Sequence, residues 1–101
     1  MIKVKHNGHE YELEFTRQIV ATLEARNFNY EEIKTKPNLM VPMLAQAAFL
    51  KNHKKISPGT VDAIYESLSD KSGFINALLE EFLEPTVTLF EEGNGGTWEK
   101  N

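Results

Sequence analysis

Residues 2–13 read Ile2-Lys3-Val4-Lys5-His6-Asn7-Gly8-His9-Glu10-Tyr11-Glu12-Leu13, and this stretch decides the fold class. Asn7-Gly8 is the preferred dipeptide for a two-residue type I′ turn, because both central positions need a positive φ. A turn there sets the register. Lys5 faces Glu10, Val4 faces Tyr11, Lys3 faces Glu12 and Ile2 faces Leu13. Opposite charges then meet on one face, while Ile2, Val4, Tyr11 and Leu13, continued by Phe15, line the other. Two strands alone are marginal in water, so this apolar face predicts a cover of helices or of another subunit's strands.

Helical signals follow. Thr16 is a good N-cap for a helix carrying Ile19, Val20 and Leu23 and ending near Asn27. Asn29, with Glu32 three residues on, predicts a short capped turn that Pro37 closes. Leu39 to Asn52 is the most apolar stretch, with Gln46 its one strongly polar residue before the end, and predicts the central buried helix. Proline is tolerated in a first helical turn, so that helix is expected to begin close to Pro42. Ser57-Pro58 starts another, with Val61, Ile64, Tyr65 and Leu68 on one face. Asp70 or Ser72 caps the last helix, which Pro85 either kinks or divides before Glu92. The fold class is therefore α+β and mainly α, with a hairpin over about 2–15 and four to five helices over about 16–92. One domain spans 1–92, and the glycine-rich 93–101 reads as a flexible tail.

Composition narrows the function. The 101 residues are 41% hydrophobic and 26% charged, which fits one globular domain with a modest core. The chain has no cysteine, which removes disulfides and thiolate metal sites and favours a reducing cytoplasm. No apolar run approaches the roughly 18 residues of a membrane span. A pI near 5.3 offers no basic excess for nucleic acid. Protein partners, including further copies of the chain, are the expectation.

The charge is uneven. Residues 72–101 carry six glutamates and one lysine, for −5 of the net −4, and residues 1–71 sum to +1. The glutamates alternate with Phe74, Ile75, Leu78, Leu79, Phe82, Leu83, Val87, Leu89 and Phe90. Adjacent apolar pairs make a stripe wider than one packing face needs, so part of it is expected to meet another chain. The candidate partner-binding residues are Phe74, Leu78, Phe82, Leu83, Val87 and Phe90, with Trp98 as an anchor in the tail.

No phosphate loop, dinucleotide fingerprint or nucleophile elbow is present. His6 and His9 flank the turn without a carboxylate beside them, a poor metal site. Lys51, Lys54 and Lys55 follow the central helix, where cations suit the helix dipole. Glu80, Glu81 and Glu84 have nothing near them to raise a carboxyl pKa for acid–base work. The expectation is a non-enzymatic protein with no catalytic residues, cofactor or metal.

The order of elements carries a resemblance. EYELEFTRQIVATLEARNFNYEEI, then KPNLMVPMLAQAAFLKNHKKI, an amphipathic helix and FINALLEEFLEPTVTLFEE before a Gly/Trp tail resemble the small tail assembly chaperones of long-tailed bacteriophages and prophages of Gram-positive hosts. The similarity spans essentially the whole chain, as a pattern of elements without a catalytic motif. It implies a protein of the bacterial host cytoplasm that coats the tape-measure protein, assists the tail-tube protein and is absent from the mature virion. It also implies a homo-oligomer and, in many phages, a frameshifted longer form; Glu99-Lys100-Asn101 can be encoded with the slippery heptamer A AAA AAC. A rival reading is an acidic regulatory module of antitoxin or anti-repressor type, and a weaker one is a head-to-tail connector.

Overall fold

The computed structural model describes residues 1–100; Asn101, the last position of the predicted tail, lies outside them. Strands β1 (Ile2–His6) and β2 (His9–Leu13) form the antiparallel hairpin in the expected register, Ile2 opposite Leu13 and Lys5 opposite Glu10. Asn7 and Gly8 hold φ of 50° and 80°, the left-handed state that the turn demands and that these two residues reach at least steric cost. The charges pair diagonally, with Lys3 Nζ 3.9 Å from Glu10 Oε1.

Four helices follow: α1 (Arg17–Ala25), α2 (Pro37–Phe49), α3 (Pro58–Ser67) and α4 (Lys71–Leu89), with a 3-10 turn at Tyr30–Glu32 between the first two. Thr16 Oγ1 accepts the Ile19 N–H at 3.1 Å and opens α1. Asn27, at φ 65°, closes it. The N–H groups of Asn27 and Phe28 return to the carbonyls of Glu24 and Leu23, which satisfies two orphan acceptors in a Schellman arrangement.

Helix α2 corrects one expectation. It begins at Pro37, not near Pro42, because Pro37 takes the first helical position and the N–H groups of Leu39 and Met40 fold back onto the Lys36 carbonyl. Pro42 then sits inside the helix, where it deprives only the Asn38 carbonyl of its usual donor, and Asn38 is exposed. The helix is otherwise central, as its composition predicts. Met40, Leu44, Ala45, Ala47, Ala48 and Phe49 are all buried, in contact with α1, α3, α4 and β2.

The hairpin closes onto α2. Val4, Leu13 and Phe15 join the core, and Tyr11 stacks edge-on against Phe49 and His53. The outer edge of β2 is satisfied by the chain that ends and follows α2. Glu12 donates its N–H to His53 Nε2 at 3.0 Å, Asn52 Nδ2 donates to the Glu12 carbonyl, and the Glu14 N–H reaches the Ala48 carbonyl. Helices are thus the cover that the two strands require.

Helix α4 starts at Asp70, whose carboxylate accepts the Gly73 N–H at 3.0 Å. It runs through Pro85 to Leu89 as one helix, so no second helix starts at the proline. No helix or strand follows in residues 90–100.

Candidate functional site: an apolar seam on the C-terminal helix

Nineteen residues give α4 a length of about 28 Å at the usual rise, more than the body can cover. It packs on α1 and α2 as far as Phe82, and its end leaves the body: every residue from Thr86 to Lys100 is exposed. The helix therefore presents two apolar faces with different fates.

The inward face is core. Leu78 is fully buried, and Phe82 places its ring edge-on between Phe15 (5.9 Å) and Phe28 (5.1 Å), closing α4 onto both ends of α1. Phe74 is half-buried against Tyr65. Leu78 and Phe82, expected to meet a partner, are instead buried in the chain's own core. Spaced i and i+4, they point along the one direction in which α1 and α2 lie, and the fold needs them there.

The outward face is the surplus. Ile75 and Leu79 are half-buried, Leu83 is 37% exposed, Val87 58% and Phe90 81%. These residues recur every three or four positions and so form one seam along the helix, increasingly wet toward its end. Glu80 and Glu84, both exposed, border it. Of the predicted partner-binding residues, Leu83, Val87 and Phe90 share this seam. Trp98 is 84% exposed beyond the end of the helix and lies on no seam.

Near the start of α4 the seam deepens into a groove. Ile75 and Leu79 form one wall, and Tyr30, Pro37 and Val41 stand opposite, with Lys34 at the mouth. Sequence reasoning missed this half of the surface. Tracing the i, i+4 ladder backward from Leu83 would have found Leu79 and Ile75; nothing local marks Val41, which the α2–α4 packing brings there, or Tyr30, whose 3-10 turn packs on α2.

The other flank of α4 is polar. Glu81 accepts a hydrogen bond from the N-terminal ammonium at 2.6 Å, which raises that amine's pKa and ties the hairpin to the helix. Among the described residues no three His, Cys, Asp or Glu side chains come together as a metal site, and no helix is long and apolar enough to cross a membrane.

Fold and surface together define a small α+β domain with a projecting, glutamate-bordered helical arm. The chain belongs to the family described as Domain of unknown function (DUF5055), whose model matches residues 1–101. Comparison with curated proteins and with solved structures returns no match.

Proposed function

We propose that this chain is a tail assembly chaperone of a long-tailed phage or prophage, a non-catalytic protein that holds the tape-measure protein in soluble form during tail assembly. The observation that carries the reading is the seam of Ile75, Leu79, Leu83, Val87 and Phe90, which the fold covers only in part at Ile75 and Leu79 and leaves exposed from Leu83 on, although it has buried Leu78 and Phe82 of the same helix. A long helical partner offers apolar stripes with the same three-to-four spacing, and two such stripes pack side by side. The bordering glutamates stay in water and give every coated segment like charge, which keeps the complex soluble. Many copies along one extended partner turn weak single contacts into avidity and leave each contact reversible.

Co-expression with the tape-measure protein tests this. Native chain is expected to keep that protein in the soluble fraction, and Leu83→Asp/Val87→Asp to leave it in the pellet with the chaperone itself folded. Both residues are exposed, so their loss spares the core. Equal solubility of the partner with native and substituted chain would overturn the assignment of the seam.

A further inference from the structure

A second apolar feature lies away from the α4 seam. A cavity of about 260 Å³ opens between α1, α2 and the start of α3. Ile19, Met43, Leu50 and Ile56 wall it over a floor of buried Leu23 and Ala47. Gln46 and Arg26 stand at it, and neither side chain has a hydrogen-bond or ion-pair partner among the described residues. No acidic residue lines it. Arg26 is the one charged side chain that lines it.

Apolar walls, one amide acceptor and one guanidinium suit an indole ring. A buried tryptophan needs an acceptor for its N–H, which the Gln46 carbonyl offers, and its face attracts a cation such as Arg26. A cation with no acid among the lining residues favours an acidic segment around that ring. The chain carries one tryptophan, Trp98, beside Glu99 and downstream of Glu91-Glu92.

We propose that Trp98 of one copy inserts into this cavity on a second copy. The tail does not serve its own body. It follows the end of α4, and Trp98 is 84% exposed and does not line the cavity of its own chain. Charge agrees: residues 91–101 carry three glutamates and one lysine, and the cavity is lined by Arg26 and no acidic residue. Each copy has one tail and one cavity, so the contact joins unlike surfaces. It uses none of the seam residues and stands or falls separately from the tape-measure reading.

The test is sedimentation velocity across a concentration series, with the emission of the single tryptophan read on the same samples. Native chain is expected to self-associate, with emission shifting to the blue as concentration rises. Trp98→Ala and Arg26→Glu each change an exposed side chain, and each alone is expected to remain monomeric with native circular dichroism. Mixed in equal amounts they are expected to form a one-to-one pair, since one keeps the cavity and the other keeps the tail. Three results would overturn the proposal. These are a native chain that stays monomeric, a blue emission independent of concentration (the tail in its own cavity), and Trp98→Ala associating as native chain does.

Discussion

Gly73 shows how one missing side chain sets a helix end. A Cβ built there would run into the Asp70 carboxylate that caps α4. Gly73→Ala is therefore expected to displace the cap, a loss of about 1 kcal/mol that alanine's helix preference offsets in part, leaving the variant up to roughly 0.5 kcal/mol less stable in urea denaturation. In an Asp70→Ala background nothing remains to displace. The same change should then stabilise by roughly 0.5–1 kcal/mol, because alanine favours a helix over glycine. A sign that stayed the same in both backgrounds would remove the steric account. Glu14 marks the other polar joint. Hydrogen bonds from Lys51 at 2.5 Å, then from Asn52, hold its carboxyl below the ordinary 4.5. A depressed carboxyl pKa favours the folded state above the unfolded value, and that contribution is lost as pH falls through the folded value. Glu14→Gln is expected to be less stable than native at neutral pH and to lose less on acidification below about 4.5. Urea midpoints at the two pH values measure both effects.

At the scale of elements, α4 sets adjacent residues against each other. Phe82→Ala removes a ring wedged between Phe15 and Phe28 and is expected to cost about 3–5 kcal/mol. Leu83→Asp, one position on, is 37% exposed at the seam and should cost only about 1 kcal/mol, from the lower helix preference of aspartate and its glutamate neighbours. Chemical denaturation of the two variants reads the division directly. That division was not legible in the sequence. Phe74 to Phe90 alternate apolar pairs without saying which member of each pair meets α1 and α2, since the direction of those helices is a tertiary fact. The hairpin was legible to the residue, because Asn7-Gly8 fixes both turn and register within twelve positions. So were the caps at Thr16 and Ser57, whose hydroxyls serve N–H groups only three residues away, while the choice left open between Asp70 and Ser72 falls to Asp70. The start of α2 was misplaced by five residues because two prolines, Pro37 and Pro42, each fit a first turn. The outcome depended on which one Lys36 could receive.

The whole molecule is longer than its mass requires. A radius of gyration of 15.7 Å exceeds the roughly 13 Å of a compact chain of this length. The excess lies in the exposed end of α4 and the segment after it, beyond a core that centres on α2. A domain this small holds little apolar surface in reserve, so an exposed Leu83–Val87–Phe90 seam is a sizeable share of it. A surface of this kind suits a partner that presents apolar helical stripes, and its acidic border suits one that must later be released.

The most direct measurement is a binding titration of the purified chain against a helical segment of the tape-measure protein proposed as its partner, with native chain and two variants side by side. Leu83→Asp/Val87→Asp is expected to lose binding by at least tenfold. Leu39→Asp, an equally exposed apolar position on α2 away from the seam, should bind as native chain does. Equal loss from both substitutions, or no loss from the first, would contradict a partner held along α4.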